Sequence, residues 1–398
     1  MNFKKNFLYY SIASALPAAL GFIIAIFLSR NITIEDYGYI GVFVMSLYVI
    51  EPLLFFFNVG LLEIKYVNLE SDDYNKYKLK YINFGLRNFI IIFIFCLIAS
   101  FIFPYSRFLF IAIPLIALTR FLIKIIWMEL VQDKNAKQYA ITFLTMSIFI
   151  FLLTISFVKY LDLSWEGRVF ALFIPELIIV FFYYRNWRFN FSWYTKEEML
   201  SVIKFGFPLF VSLGAAWMLQ EADKYIVLKY FSLSSVGIYT FSYLVGKIMK
   251  LINQPILQIL RPIYYKELKL ASLTKIRHVR NVILFSIVVF SVASLLGYFL
   301  IFFKELIPDS YNEGLRVTKI ILFAFSFFGI YQLSSVILEY YKLNTLKTKL
   351  LYVGAIINIL FSVILIERFG ILAPAYGTLI GFGIIAILSL FYALRQLK

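Results

Sequence analysis

Long apolar segments recur along the whole sequence and constrain what the chain can fold into. A helix needs about 20 apolar residues to cross the hydrocarbon core of a bilayer. Runs of this kind are predicted at 7–29, 38–61, 81–103, 107–128, 139–160, 167–186, 201–228, 236–260, 280–303, 317–341, 350–366 and 371–394. Hydrophobic residues make up 62% of the chain, above the roughly 45–50% of soluble domains. The sequence therefore predicts an all-α integral membrane protein with about twelve spanning helices.

Basic residues are distributed unevenly between the predicted loops. With the N-terminus placed in the cytoplasm, the cytoplasmic segments carry 23 Lys and Arg residues and the outer segments carry nine. An excess of this sign is typical of cytoplasmic loops. We therefore expect both termini in the cytoplasm. The same bias, together with attraction to anionic lipids, explains the net charge of +16 without a nucleic-acid partner.

Motifs for metal, nucleotide or hydrolytic chemistry are missing from the sequence, so we expect no cofactor. The only histidine, His278, lies in a predicted cytoplasmic segment, 263–279, which mixes apolar and basic residues and is expected along the membrane interface. We expect His278 to be a solvated loop residue. Gly377 and Gly381 have the GxxxG spacing of packed membrane helices, and they follow no strand, which excludes a dinucleotide site.

An internal repeat is visible on direct comparison. Residues 30–38 (RNITIEDYG) align with residues 229–237 (KYFSLSSVG) at an offset of half the chain. Each stretch ends one span and begins the next, and Thr33 and Ser232 are predicted helix N-caps. Asp36 adds the spacing of a capping box to the first copy.

A weaker echo pairs Glu129, within 127–130, with Glu339, within 337–340. Six spans in each half return the chain to its starting side of the membrane. We therefore predict two six-helix halves, 1–198 and 199–398. The second half would be a parallel repeat of the first, related to it by an axis along the membrane normal.

Four motifs carry a resemblance to a known family: SRNITIEDYGYI at 29–40, DKNAKQYA at 133–140, FGFPLFVS at 205–212 and EADKYIVLKYFSLSSVGIY at 221–239. With the span count and the short loops, they resemble the Wzx-type polysaccharide transporters. These are the lipid-linked oligosaccharide flippases of the superfamily that includes multidrug and toxin extrusion transporters. The chain departs from the family at Lys224, where arginine often follows the aspartate. Lysine keeps the charge but loses the bidentate fork.

The resemblance implies two helical bundles around a central cationic cavity in the bacterial cytoplasmic (inner) membrane. It also implies alternating access that moves an undecaprenyl-pyrophosphate-linked glycan, such as an O-antigen or capsule repeat unit, from the inner to the outer leaflet. The implied partners are the lipid-linked glycan, membrane lipids and other membrane proteins of polysaccharide assembly, with no nucleic acid.

Basic residues within the spans are the candidates for binding an anionic substrate. Lys247 and Lys250 are three apart on one predicted helix and hence on one face. Arg120 and Lys124 form a second pair, four apart. Lysine binds phosphate as a point charge and arginine as a fork, so the four cations suit a diphosphate. The alternative for Lys124 and Lys250 is that they extend to the membrane interface.

Acidic residues within the spans are the candidates for coupling or gating, together with one adjacent lysine: Glu51, Glu176, Glu221, Asp223 and Lys224. A desolvated carboxylate binds a proton more readily than an exposed one, which suits coupling to a proton gradient. The alternative is a set of structural ion pairs. In that case Glu51 pairs with Arg120 or Lys247, and Glu221 or Asp223 pairs with a basic neighbour.

Two other functions compete with glycan-lipid transport. One is cation-coupled export of drugs or other small molecules. The other is an enzyme, a membrane-embedded glycan polymerase or ligase, which typically carries a large outer loop. The widest predicted outer loop, about 304–316, cannot hold a domain, so we expect no enzyme. A cationic cavity favours the flippase over an exporter, because exported drugs are commonly cations.

Overall fold

The computed structural model describes residues 3–55, 59–103, 105–184 and 192–397. Within these ranges the chain is helical and contains no β-strand. The helices are α1 (Phe3–Asn31), α2 (Ile34–Phe55), α3 (Val59–Asn68), α4 (Ser71–Ile102), α5 (Arg107–Gln132), α6 (Ala136–Ile155), α7 (Ser164–Tyr184), α8 (Lys196–Tyr230), α9 (Leu233–Gly246), α10 (Ile248–Lys269), α11 (Lys275–Phe303), α12 (Gly314–Tyr340), α13 (Asn344–Ile364), α14 (Ile366–Phe369) and α15 (Leu372–Gln396). A π-helical turn, Ser156–Tyr160, extends α6.

Eleven helices in the described part of the chain are long and apolar enough to cross a membrane. They correspond to the predicted apolar runs, with one exception, and the prediction of an all-α membrane protein is confirmed. Two of the helices, α2 and α9, begin where the predicted N-caps indicate. The hydroxyl of Thr33 accepts a hydrogen bond from the amide of Asp36 over 3.1 Å. The hydroxyl of Ser232 accepts one from the amide of Ser235 over 3.2 Å, so both predicted N-caps are confirmed.

The predicted span 236–260 is the exception. The chain forms two helices there, α9 and α10, with the interruption at Lys247. Gly246 ends α9 and lies against α12, where a Cβ atom would come within 3.1 Å of the carbonyl oxygen of Thr318. The α10 helix that follows is amphipathic, because Lys250, Asn253 and other polar residues recur between its apolar residues. The sequence predicted that Lys247 and Lys250 lie on one continuous helix. This prediction is wrong, because the helix is interrupted at Lys247.

The chain divides into two compact units, Met1–Phe210 and Val211–Lys398, and α8 contributes to both. In the first unit, α5 packs against α2, α4 and α7, and α6 packs against α1 and α7. In the second unit, α12 packs against α9, α10, α11 and α15. Helices α5 and α12 are the most buried of the candidate spans. The predicted boundary at 198/199 and the parallel orientation of the two halves stay predictions.

The close packing of α13 on α15 depends on glycine. A Cβ atom on Gly381 would lie 2.7 Å from the carbonyl oxygen of Gly354, and one on Gly377 would overlap the side chain of Ser362. The helix-packing role predicted for this GxxxG pair is confirmed.

The prediction for His278 is wrong. His278 lies in the first turn of α11 and is fully buried, because its ring packs against Tyr264 of α10. The Tyr264 hydroxyl is 3.2 Å from His278 Nδ1, and the Ser334 hydroxyl of α12 is 3.5 Å from Nε2. The surrounding basic residues suggested a solvated loop, but α11 begins earlier than its apolar run and carries the histidine into the helix packing.

Candidate functional site

The first charged cluster joins three helices of the first unit: Glu51 of α2, Thr119, Arg120 and Lys124 of α5, and Glu176 of α7. Arg120 Nε lies 3.1 Å from Glu176 Oε1, and Arg120 Nη1 lies 4.0 Å from Glu51 Oε2. Lys124 pairs with the same Glu51 carboxylate. The Thr119 hydroxyl is 2.6 Å from Glu176 Oε2. Two cations and two carboxylates are thus connected in one network of ion pairs.

The two signs of charge in this cluster differ in exposure. The side chains of Arg120 and Lys124 are 32% and 42% exposed, whereas those of Glu51 and Glu176 are 12% and 4% exposed. The carboxylates therefore lie behind the cations. Burying a charge is costly unless it is paired, so each carboxylate supports the position of a cation that remains accessible. The accessible side of the cluster is positive although the ion pairs themselves are balanced.

The second charged cluster lies in the second unit and comprises Glu221 and Lys224 of α8, Lys247 at the α9–α10 interruption, and Lys250 of α10. Glu221 is buried and pairs with Lys224, which is buried as well. Lys247 Nζ lies 3.6 Å from the other Glu221 oxygen, and its side chain is 29% exposed. Lys250 Nζ is 3.4 Å from the side-chain oxygen of Gln220. Here too a buried carboxylate lies behind a more accessible lysine.

An aromatic ring lies beside this cluster. Lys224 Nζ is 4.4 Å from the ring centre of Tyr243, and Lys247 Nζ is 5.9 Å from it. A cation this close to an aromatic face is attracted by the electrons of the ring. Tyr243 therefore helps to hold two neighbouring lysines that would otherwise repel each other.

Asp223 is adjacent in sequence but lies in a separate polar network. Its carboxylate is fully buried and accepts hydrogen bonds from Tyr239 of α9 over 2.8 Å and from Thr378 of α15 over 3.3 Å. The Thr378 hydroxyl is also 3.4 Å from the side-chain nitrogen of Asn358 on α13. Three helices thus meet at one buried carboxylate, and α13 joins the network through Thr378. The hydrogen-bond donors to the carboxylate in the described residues are uncharged.

The structure brings together most of the site residues named from the sequence, but in combinations that the sequence left open. Each predicted substrate-binding residue except Lys250 pairs with one of the predicted coupling carboxylates. Of the ion pairs considered, Glu51 with Arg120 is present, and Glu221 has basic neighbours. The contacts do not test whether these residues bind a substrate or couple transport to an ion gradient, so both roles stay predictions.

Several polar residues of the two sites were missed by the sequence analysis: Thr119, Tyr239, Asn358 and Thr378. A signal for three of them was present. Asn358 and Thr378 are polar residues within otherwise apolar runs, where polar groups tend to face other protein groups. Thr119 is a polar residue of the same kind within the apolar run 107–128, whereas Tyr239 carries no such signal, because tyrosine is frequent throughout this sequence.

Sequence comparison links the chain to a family. A profile of the family described as "Polysaccharide biosynthesis protein" matches residues 3–266. A membrane protein of Methanocaldococcus jannaschii, described as uncharacterized, is 28% identical over 122 residues, which is 30% of this chain and 24% of that protein. The matched part thus spans about a quarter of that relative's length.

Structural comparison gives matches over nearly the full chain. An inward-facing multidrug resistance MATE family transporter of the MOP superfamily is similar with a TM-score of 0.76 and 11% identity, covering 98% of each chain. The lipid II flippase MurJ in an inward closed conformation is similar with a TM-score of 0.73 and 16% identity, covering 98% of this chain and 88% of MurJ. At these identities the similarity establishes the fold, which is that of the MATE and MurJ transporters.

Proposed function

Because the chain belongs to the polysaccharide biosynthesis protein family, we propose that it is a flippase for an undecaprenyl-pyrophosphate-linked oligosaccharide, such as an O-antigen or capsule repeat unit. It would carry this lipid across the bacterial cytoplasmic membrane by alternating access, with both termini in the cytoplasm. The similarity in fold to a protein named as a lipid II flippase supports transport of a lipid-linked substrate. In this proposal the protein is a transporter and not an enzyme.

The observation that carries the proposal is the difference in exposure within the charged clusters. Arg120, Lys124 and Lys247 are each several times more exposed than the carboxylates with which they pair. An accessible cation supported by a buried carboxylate suits reversible binding of a diphosphate, because the cation keeps its position when the substrate leaves. Arginine adds two-pronged hydrogen bonding to phosphate oxygens, which lysine lacks.

Cation or proton coupling belongs to the same proposal and is assigned to Asp223. Its carboxylate has three hydrogen-bond donors but no ion pair with a described residue. A small cation or a proton arriving there would not displace a basic side chain. The carboxylates of the charged clusters, Glu51, Glu176 and Glu221, already have basic partners, so we propose that they position those cations.

Export of small molecules is the second candidate function. The similarity in fold to a multidrug resistance transporter favours it. Exported drugs are commonly cations, however, and the accessible side chains of both charged clusters are positive. We therefore rank export below transport of an anionic lipid-linked glycan.

Reconstitution of the purified protein in vesicles tests the proposal. Vesicles would carry undecaprenyl-pyrophosphate-linked oligosaccharide in one leaflet, and flipping would be measured as sugar that becomes accessible to a glycosidase on the other side. We expect flipping by the wild type and a loss with Lys247→Ala. In that variant Glu221 would still form its ion pair with Lys224, so we expect the protein to fold normally.

Lys247→Arg should retain more flipping than Lys247→Ala, since the site needs positive charge before it needs geometry. The matched control is Lys304→Ala, which removes an exposed lysine at the far end of α11, remote in sequence from the cluster. If the vesicles showed efflux of organic cations without flipping of the glycan lipid, the flippase proposal would be wrong and small-molecule export would take its place. Full flipping by the double variant Lys247→Ala, Arg120→Ala would disprove the proposal that these cations bind the substrate.

A further inference from the structure

A groove runs along the outer face of α11, on the side away from the helix packing. It has a volume of about 770 Å³ and is lined by residues that repeat at helical spacing, from Ile283 to Leu295. The opposite face of α11, which includes Val282, Phe285 and Val289, is buried. The groove therefore lies on the exposed side of a candidate spanning helix, and α12 borders it at Phe290, whose ring packs against Phe323 and Phe327.

The shape of the groove follows from the sequence of α11. Ser286, Ser291 and Ser294 provide small side chains between bulkier neighbours. Ile283 and Leu295, near its two ends, are each more than half exposed. At 1.5 Å per residue, the lining extends about 18 Å along the helix. One leaflet of the hydrocarbon core is about 15 Å deep, so the groove matches the length of one lipid chain.

A positive charge stands at the N-terminal end of the groove. Arg280 precedes Ile283 by three residues and Ile287 by seven, so it lies on the same face of the helix. Arg280 is exposed and has no ion pair with a described residue, whereas its neighbour Arg277 pairs with Glu267 over 3.3 Å. Lys275 adds a second exposed cation at this end.

We propose that this face of α11 binds one anionic phospholipid, with its phosphate at Arg280 and an acyl chain in the groove. The apolar groove alone would accept any chain, and the cation at its end selects a lipid that carries negative charge. A basic residue near a membrane surface attracts an anionic headgroup by about 1 kcal/mol. The inference concerns a bound membrane lipid and does not depend on the transported substrate.

Native mass spectrometry of the purified full chain tests the proposal, with phosphatidylglycerol and the uncharged phosphatidylcholine as probes. We expect the wild type to retain one phosphatidylglycerol in preference to phosphatidylcholine. Arg280→Gln should weaken retention of phosphatidylglycerol about fivefold, the equivalent of one surface charge. Lys304→Gln, at the other end of α11, should leave retention unchanged.

A second pair of variants tests the groove itself. Ser291→Phe fills it and should lower retention of phosphatidylglycerol, whereas Val288→Phe places the same ring on an exposed position outside the lining. Equal retention by Ser291→Phe, Arg280→Gln and the wild type would overturn the proposal, as would equal retention of both phospholipids. If undecaprenyl phosphate displaces phosphatidylglycerol at an equal or lower concentration, the groove holds a prenyl carrier and the phospholipid assignment fails.

Discussion

Tyr239 of α9 donates a hydrogen bond to the carboxylate of Asp223 on α8, with the two oxygens 2.8 Å apart and both side chains fully buried. A buried charge that lacks an ion pair depends on hydrogen bonds for its stability. Thr378 and the backbone amide of Lys224 supply further donors. The carboxylate therefore connects α8, α9 and α15, and any change in its charge acts on all three helices.

Asp223→Asn tests whether this carboxylate couples transport to an ion gradient. An amide is nearly isosteric, and its single oxygen can still accept the hydrogen bonds from Tyr239 and Thr378, although the backbone amide of Lys224 then loses its acceptor. We therefore expect the variant to insert and fold. Flipping in proteoliposomes should lose its stimulation by an imposed proton or sodium gradient and keep only the unstimulated rate. Asp309→Asn, in the loop before α12, is the matched control. Gradient stimulation that survives in Asp223→Asn would disprove the assignment of coupling to this carboxylate, and its survival in Glu51→Gln and Glu176→Gln as well would exclude all three carboxylates.

Glu176→Gln should destabilise the first unit. Removing one partner of a buried ion pair costs about 3–5 kcal/mol. We expect the lower end of that range, because Arg120 is partly exposed and retains Glu51 at 4.0 Å. Adding Arg120→Gln should restore part of the loss, which a double-mutant cycle of detergent unfolding would measure. Lys76→Gln is the control, since it breaks the exposed Lys76–Asp73 pair, and such pairs contribute at most about 1 kcal/mol.

Glu339→Gln should loosen the ends of three helices in the second unit. Glu339 of α12 pairs with Arg261 over 2.9 Å, pairs with Lys347 of α13 and lies 3.4 Å from the Tyr265 hydroxyl. Loss of the charge should speed hydrogen exchange at the end of α10 and the start of α13.

Glu129→Gln is the matched variant in the first unit, at the position that the sequence echo pairs with Glu339. Glu129 binds Lys78 over 2.7 Å and the Tyr74 hydroxyl over 2.8 Å. Its exchange effect should appear in the first half of α4. If each variant altered exchange only in the opposite unit, the local origin of the effect would be disproved.

Gly377→Ala and Gly381→Ala should each weaken the packing of α15 on α13. The added methyl group overlaps Ser362 in the first variant and comes within 2.7 Å of the Gly354 carbonyl oxygen in the second. Overpacking of this kind costs about 1–3 kcal/mol. Gly383→Ala, on the same helix, meets no atom within 4 Å and should be neutral or stabilising. Thermal unfolding of the purified variants measures the difference.

Reporter fusions test the predicted orientation. The charge bias of the loops places Lys76 and Arg277 in the cytoplasm and Asp162 and Asp309 outside. Fusions at the first two positions should give a cytoplasmic signal, and fusions at the last two an external one. An external signal at Arg277 would disprove the predicted topology.

Local features were predictable from the sequence because they depend on residues that are close together in the chain. Apolar runs gave eleven of the spans, and the hydroxyls of Thr33 and Ser232 gave two helix starts. The interruption at Lys247 was missed because it accompanies the close approach of Gly246 to α12, which a count of apolar residues does not register.

Pairing within the sites was only partly predictable. The sequence identified Glu51 and Lys124 as candidates, but their contact joins α2 to α5 and follows from how those helices pack. His278 was misplaced for the same reason, since its partners lie on α10 and α12. Asn358 and Thr378 were recoverable in principle as polar residues in apolar runs, but their convergence on Asp223 was not.

During synthesis a membrane protein enters the translocon one segment at a time. Helix α9 is poorly suited to move from the translocon into the bilayer without a partner helix. Its 14 residues extend only about 21 Å, short of the roughly 30 Å hydrocarbon core. The α10 helix that follows begins after Lys247 and carries Lys250 in its first turn. We therefore expect this segment to be retained beside the translocon until α12, which packs against both helices, has been synthesised. Assembly of the second unit would then be cooperative, and truncation of the chain before α12 would leave α9 and α10 as substrates for quality-control proteases.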